Sequence, residues 1–175
     1  MAFEDRPTHR AYARTERERR FLVAELPIGV SDYERLHDLY LTGTHLRLRE
    51  VRTADGTWVT SKLGQKVPSP EDPTDPRLRQ MTTIYLPEEE AAVFAGLHGL
   101  STVKRRYKLP EQGLTFCIDV YEKPLAVAGT MVAEVEADTT EKLASLTCPA
   151  WAVREVTSDG AWSAVALARR GVAGP

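Results

Sequence analysis

Two glutamates and an arginine stand at alternate positions near the start of the chain. Glu16, Glu18 and Arg20 are separated by single residues and lead into the apolar run Phe21-Leu22-Val23. In an extended strand the side chains alternate between the two faces, so these three would point the same way. Carboxylates bind divalent cations through oxygen, and a guanidinium group binds phosphate through two parallel hydrogen bonds. The stretch is therefore typical either of a solvated strand end or of one wall of a site for a metal and an anion.

Charged residues recur on one face of other predicted strands. These positions are Arg47, Arg49, Lys62, Lys104, Arg106, Asp119, Glu134 and Glu136. The first and last strands carry acidic residues, whereas the middle ones carry basic residues. A flat sheet with one wet face would show the same alternation, so periodicity alone leaves surface and barrel interior open. Inside a closed barrel, a polyphosphate with divalent cations would neutralise both sets of charges at once.

Turn signals and alternating apolar residues predict about eight short strands. They cover residues 13–26, 38–41, 45–50, 58–63, 78–86, 100–109, 114–122 and 131–137. Few helices interrupt them, which favours an α+β fold in which an antiparallel sheet curls into a closed β-barrel with a few flanking helices. The length of 175 residues suits one such domain. We place this domain at residues 13–175, after a loose polar N-terminal tail at residues 1–12.

Helix signals are found between and after these strands. A capping-box pattern that begins at Ser31 predicts a short helical turn through His37. Pro87 followed by three glutamates predicts a second helix, with one apolar stripe buried against the sheet. The residues of that stripe are Val93, Phe94 and Leu97. Two further helices are expected, over residues 139–146 and 161–169.

The composition argues against several classes of function. A formal net charge of −2 gives no bulk attraction to nucleic acid or to an acidic membrane. The basic strands are interleaved with leucines, not with the aromatic residues that stack on bases. The four histidines and two cysteines show no zinc-ligand spacing. The chain shows neither a signal-peptide pattern nor the ~20 apolar residues of a membrane span. We therefore expect a cytoplasmic protein whose partner is a small molecule, not nucleic acid or a membrane.

The opening strand resembles that of the CYTH family, also called the triphosphate tunnel metalloenzymes. The family motif is Glu-x-Glu-x-Lys followed by Phe-Leu-Val, and this chain has Glu16-Arg17-Glu18-Arg19-Arg20 followed by Phe21-Leu22-Val23. The likeness continues, in the same order, through Tyr40-Leu41-Thr42, Leu46-Arg47-Leu48-Arg49, Lys62, Lys104-Arg105-Arg106-Tyr107, Phe116 to Tyr121, Ala133 to Glu136, Trp151, and Glu155-Val156-Thr157. The resemblance thus covers about residues 15–167.

This resemblance implies a short antiparallel barrel whose charged tunnel binds a triphosphate together with Mg²⁺ or Mn²⁺. The implied metal ligands are Glu16, Glu18, Asp119, Glu134 and Glu136, with Glu155 as an assisting carboxylate. The implied phosphate ligands are Arg20, Arg47, Arg49, Lys62, Lys104 and Arg106. Arg20 and Tyr40 match the positions that help to activate the attacking water in some members, so both are candidate catalytic residues.

Three features depart from the family pattern. Arg20 replaces the motif lysine, and because arginine stays protonated it can hold a phosphate but cannot act as a base. Met81 and Thr83 stand where many members have a glutamate, and Ala164 stands where an asparagine often occurs. Activation of water would therefore depend on a metal ion or on a glutamate.

Three functions are consistent with these residues. The first is metal-dependent hydrolysis of an inorganic or organic triphosphate, in which water attacks the terminal phosphorus in line. The second is an adenylate cyclase on the same site, which needs a base for the ribose 3′-hydroxyl and a pocket for adenine. The third is a module that binds a phosphorylated small molecule with little turnover, and Arg20 and Ala164 favour it.

Overall fold

The computed structural model describes residues 12–171. Within this range the strands are β1 (Arg14–Val23), β2 (Tyr33–Leu41), β3 (Leu46–Thr53), β4 (Trp58–Pro68), β5 (Leu78–Leu86), β6 (Gly99–Glu111), β7 (Leu114–Lys123), β8 (Met131–Glu136) and β9 (Ala152–Glu155). The helices are α1 (Glu88–Ala95), α2 (Thr140–Ala144) and α3 (Ala164–Arg169). Among the described residues, no helix has the length and apolar character needed to cross a membrane. The predicted loose tail falls outside the described residues apart from Tyr12, and it stays a prediction.

Eight of these strands form a closed antiparallel barrel. Their order around the sheet is β5-β4-β3-β2-β6-β7-β8-β1, and β1 closes the barrel by pairing again with β5. The closing contact runs from Arg14 opposite Met81 to Arg17 opposite Leu78. The ninth strand, β9, pairs with residues 21–23 at the C-terminal end of β1. The predicted α+β fold, a closed antiparallel barrel with flanking helices, is therefore confirmed.

Apolar clusters on the outside of the barrel show which side chains face inward. Phe21 and Phe116 pack with Leu143 of α2, and Leu63 packs with Ala91 of α1. Because successive residues of a strand face opposite sides of the sheet, the residues between these apolar positions face the interior. The inner face is therefore the one that carries the alternating charges.

The two ends of the barrel differ. At one end Leu167 of α3 is fully buried against Tyr121 and Val132, so α3 packs against residues on the inner face of β7 and β8. At the other end a cavity of about 290 Å³ is lined by residues 29–34, Arg106 and Lys108. Because Arg106 belongs to the inner face, this cavity borders the interior.

One helix prediction is wrong, and a second is right about the helix but wrong about much of its buried face. The segment from Ser31 to His37 is not a helical turn, because Tyr33–Leu41 forms strand β2, hydrogen-bonded to β3 on one side and to β6 on the other. Pairing on both sides outweighs a local capping signal. The helix predicted after Pro87 is present as α1, but only part of its stripe is buried: Phe94 packs on the cluster that contains Leu63 and Ala91, whereas Val93 is 71% exposed and Leu97 50% exposed. The eight-residue helix instead turns Ala91 towards the sheet.

The last two predicted helices exist but are shorter than expected. The helix predicted at residues 139–146 is α2, which is capped by the Thr139 side chain. The helix predicted at residues 161–169 is divided in two. A 3₁₀ turn covers Gly160–Trp162, and α3 begins after Ser163, whose side chain accepts a hydrogen bond from the Ala166 amide.

Candidate functional site

The strand registers bring the predicted charged residues together inside the barrel. Direct cross-strand partners are Glu18 with Glu136, Arg20 with Glu134, Arg49 with Lys62, and Arg106 with Asp119. The two members of such a pair share one face of the sheet. Contacts also join strands that are not neighbours: Lys66 of β4 reaches Glu16 and Glu18 of β1, and Arg106 of β6 reaches Glu134 of β8. The barrel interior is therefore the candidate site.

Asp38 holds the cations of β3 in place. Its carboxylate is fully buried and accepts two hydrogen bonds from Arg49, at 2.6 Å from Nε and 2.7 Å from Nη2. Arg47 Nε and Lys104 Nζ lie 3.9 and 3.8 Å from the same carboxylate. Burial alone would raise the pKa of Asp38, but Arg49 and Arg47 hold it well below its ordinary value. Asp38 is therefore an ionised anchor for three predicted phosphate ligands.

Asp119 plays the same part for the cations of β6. Lys104 Nζ lies 2.5 Å from Asp119 Oδ2, and Arg106 donates to both oxygens of that carboxylate at 2.6 and 2.7 Å. Arg106 Nη2 also donates to Glu134 at 2.7 Å. Burial alone would raise the pKa of Glu134, but Lys104 and Arg106 hold it well below its ordinary value. Two predicted metal ligands, Asp119 and Glu134, are thus in contact with cations of the protein itself.

These contacts form one continuous network, which we call the paired wall. It consists of Asp38, Arg49, Lys104, Arg106, Asp119 and Glu134. Within it each carboxylate contacts at least one arginine or lysine.

A second group of carboxylates lies on β1 and β8, and we call it the carboxylate cluster. It consists of Glu16, Glu18 and Glu136, and one oxygen from each lies within 4.8 Å of the others. Burial and the charges of Glu16 and Glu18 raise the pKa of Glu136 to about 7, and burial raises the pKa of Glu18. Carboxylate oxygens gathered in this way suit Mg²⁺ or Mn²⁺. The donor set therefore fits a divalent cation.

Lys66 is the cation that faces the carboxylate cluster. Its ammonium group contacts Glu16 and lies 3.4 Å from Glu18 Oε2. Burial acts against its charge, but Glu18 and Glu16 raise the pKa of Lys66 above its ordinary value. On β5 its direct cross-strand partner is Met81, one of the two residues expected to depart from the family pattern. Lys66 is therefore the cation of β4 that contacts the carboxylate cluster.

Arg20 and Tyr40, the two predicted catalytic residues, are both on the inner face. Arg20 is largely buried, donates to the Thr157 carbonyl at 2.8 Å, and lies 3.8 Å from Glu18. The Tyr40 hydroxyl lies 3.4 Å from Asp38. Burial and the charge of Asp38 raise the pKa of Tyr40 above its ordinary value. Neither residue can serve as a base near neutral pH.

Two other predicted residues are members of neither group, although Lys62 lies directly across the sheet from Arg49. Lys62 is on the inner face, and its ammonium group lies 5.3 Å from the centre of the exposed Tyr85 ring. Glu155 is not near the carboxylate cluster. It accepts hydrogen bonds from Arg19 at 2.9 and 2.7 Å, and Arg19 also donates to the Leu143 carbonyl outside the barrel.

Sequence reasoning missed Asp38 and Lys66. Asp38 was obscured because the preceding residues carry a helix-capping signal, although its spacing of two from Tyr40 places it on the same face of a strand. Lys66 lies beyond the predicted end of its strand at residue 63, whereas β4 continues to Pro68. Extending the two-residue period from Lys62 would have found it.

Comparison with solved structures finds this fold elsewhere. The inorganic triphosphatase NE1496 matches with a TM-score of 0.55 and 23% identity, covering 87% of this chain and 93% of that chain. PH1819 from Pyrococcus horikoshii OT3 gives 0.51 and 19%, covering 74% and 82%. A Bacillus halodurans protein, for which adenylate cyclase activity has been suggested, gives 0.50 and 16%, covering 74% and 84%. No protein-family model and no curated protein matches the sequence. The chain therefore has the fold of an inorganic triphosphatase, and its resemblance to the CYTH family is confirmed at the level of the fold.

Proposed function

We propose that this protein hydrolyses a triphosphate inside the barrel with the help of a divalent cation. One observation supports this above all: a carboxylate cluster and rows of arginine and lysine line one interior. Arginine and lysine bind the phosphate oxygens of a triphosphate, and carboxylates bind the cation that accompanies it. An interior with both signs therefore suits a metal–triphosphate complex better than it suits a metal or an anion alone.

The carboxylate cluster would hold Mg²⁺ or Mn²⁺ through Glu16, Glu18 and Glu136. A cation there supplies charge stabilisation to phosphate oxygens. Asp119 and Glu134 were also predicted as metal ligands, and this stays a prediction. Their contacts support another part as well, because they fix the orientation of Lys104 and Arg106.

The cations of the barrel would bind the phosphates. Arg49, Lys104 and Arg106 are held by carboxylates, so little reorganisation is needed when negative charge develops on the terminal phosphate. Arg47 is less engaged, since its Nε is buried without a hydrogen-bond partner among the described residues. Arg20 would hold a phosphate beside Glu18. We expect Arg47 to be the phosphate ligand with the most direct effect on rate.

The proton of the attacking water needs an acceptor. Arginine stays protonated, which excludes Arg20, and the raised pKa of Tyr40 excludes the tyrosine. A glutamate of the carboxylate cluster is the acceptor that the geometry favours. Tyr40 would act by positioning Asp38 beside Arg49.

Phosphate release from inorganic triphosphate and from ATP, with Mg²⁺ or Mn²⁺, tests the proposal. We expect Arg47→Ala to lower the rate at least ~100-fold, as the loss of a transition-state contact does. The matched control is Arg35→Ala, which removes an exposed arginine paired with Glu122 and should leave the rate unchanged. Absence of phosphate release from every triphosphate, or equal rates for wild type and Arg47→Ala, would contradict the proposal.

Analysis of all the products of the same reactions separates the alternatives. The cyclase is an alternative because the fold is shared with the Bacillus halodurans protein for which this activity has been suggested. An adenylate cyclase would convert ATP to a cyclic nucleotide and pyrophosphate. A binding module would retain the triphosphate without turnover, and the contact of Lys66 with the carboxylate cluster is the observation that favours it.

A further inference from the structure

The carboxylate cluster contains more negative charge than its lysine can neutralise. Glu16, Glu18 and Glu136 lie together, and Lys66 contacts the first two. Arg20 is the next cation, at 3.8 Å from Glu18. Glu16 and Glu18 are largely buried whereas Glu136 is exposed, and like charges this close together are costly, most of all for the buried pair, unless cations of sufficient charge join them. The cluster can therefore accept more positive charge than a single ammonium group provides.

The two partners of this contact differ in exposure. The side chain of Lys66 is 35% exposed, whereas those of Glu16 and Glu18 are 8% and 14% exposed. The lysine reaches the cluster from β4 across the intervening strand β5, where its cross-strand partner is Met81. A long aliphatic stem lets an ammonium group move while the stem stays packed. The ammonium group of Lys66 can therefore swing towards solvent, while the more buried carboxylates stay where they are.

We infer that Lys66 is a resident cation that competes with the divalent metal for Glu16 and Glu18. Because two positive charges cannot share these oxygens at close range without strong repulsion, metal binding displaces the ammonium group. Lys66 thus sets how much metal is needed before the cluster is occupied. The inference rests on the proposed function in one respect, namely that the carboxylate cluster binds a divalent cation.

Metal binding without substrate tests this directly. Metal-free protein is titrated with Mn²⁺, and free Mn²⁺ is followed by electron paramagnetic resonance. We expect Lys66→Met, which keeps the stem and removes the charge, to lower the Kd for Mn²⁺ at least about tenfold. Lys66→Arg, which keeps the charge, should bind Mn²⁺ no more tightly than wild type. Lys108→Met removes an exposed lysine paired with Glu34 and should change the Kd by less than about twofold.

A second neutral variant serves as the control for a folding defect in Lys66→Met. Thermal unfolding is recorded for each protein, and Lys66→Gln replaces Lys66→Met if the latter does not fold. The inference is overturned if neither neutral variant binds Mn²⁺ more tightly than wild type, or if neither binds Mn²⁺ at all.

The outcome is separable from that of the proposed function. Tighter Mn²⁺ binding by the neutral variant, together with no hydrolysis by any protein, supports the inference and contradicts the triphosphatase. Metal-dependent hydrolysis by wild type, together with an unchanged Kd in the neutral variant, supports the triphosphatase and overturns the inference.

Discussion

On one side of the barrel interior the charged residues are paired with opposite charges, whereas on the other side they are only partly paired. In the paired wall, Arg49 donates hydrogen bonds to both oxygens of Asp38, and Arg106 donates to both oxygens of Asp119. In the carboxylate cluster, three glutamates face Lys66. A buried charge is stable without a ligand where an opposite charge lies beside it. The paired wall is thus a complete scaffold, whereas the carboxylate cluster is complete only with a further cation.

Neutralising an acid of the paired wall should destabilise the protein most. Asp38→Asn leaves Arg49 buried without its counter-ion, which costs about 3–5 kcal/mol in the free energy of unfolding. Urea unfolding measures this. The matched control Glu122→Gln, on the outer face beside Arg35, should change the free energy by about 0.5 kcal/mol or less.

The loss from Asp38→Asn should depend on pH. Because the pKa of Asp38 is lower in the folded state than in the unfolded state, its stabilising effect is complete above the unfolded value of about 4 and declines as pH falls below it. The two proteins should therefore converge in stability towards acid pH. A difference that grows as the pH falls from 5 to 3 would contradict the assignment of Asp38 as an ionised anchor.

Neutralising an acid of the carboxylate cluster should instead raise the free energy of unfolding. Since the pKa of Glu136 is raised to about 7, its ionised form costs folding energy, and Glu136→Gln removes that cost. We expect a gain of about 1 kcal/mol at pH 8 in EDTA, a modest value because Glu136 is partly open to solvent.

The pH dependence of this gain also differs from that of Asp38→Asn. The gain is absent below the ordinary pKa of 4.5, grows as the pH rises to about 7, and is constant above that. Urea unfolding at pH 4, 6 and 8 checks it. A loss of stability at pH 8 in EDTA would show that the two sides of the interior do not differ as we describe.

The smallest effect is expected at Lys62, which belongs to neither group. It stacks near the exposed ring of Tyr85, so Lys62→Met should change the free energy of unfolding by about 0.5 kcal/mol or less. Because Lys62 lies across the sheet from Arg49, a proposed phosphate ligand, the loss of its charge should still raise KM about two- to fivefold at low salt, with less effect at high salt. Steady-state kinetics at two salt concentrations measure this, and a large loss of kcat would place Lys62 in the catalytic centre instead.

Much of the interior could be predicted because a strand imposes a strict period of two. Once Glu16, Glu18 and Arg20 are placed on one face, the same rule places Arg47 and Arg49, and the registers confirm that these positions meet inside. The period of two does not show which charged residues of different strands will contact each other. That Asp38 rather than a ligand would hold Arg49 depends on the register in which β2 and β3 pair, which the period of a single strand does not set.

The failures have equally local causes. A capping signal at Ser31 concealed the start of β2, so the strand was predicted only for residues 38–41 and Asp38 fell at its predicted end. A segment paired on both sides overrides weak helix preferences. The glycine at position 64 and the polar residues after it concealed the continuation of β4 to Lys66. Sequence period therefore recovered the charges within the strands that were predicted in full, and lost Asp38 and Lys66, which lie at or beyond the predicted ends of their strands.

The central claim is that the carboxylate cluster serves hydrolysis by holding a divalent cation, and one titration tests it most directly. Wild type, Glu18→Gln and the outer-face control Glu122→Gln are stripped with EDTA, and phosphate release from inorganic triphosphate is measured as Mn²⁺ is added back. The account predicts that wild type and Glu122→Gln are inactive without Mn²⁺ and regain activity together, while Glu18→Gln stays at least ~100-fold slower. Hydrolysis that survives removal of metal, or a Glu18→Gln rate equal to that of wild type, would contradict it.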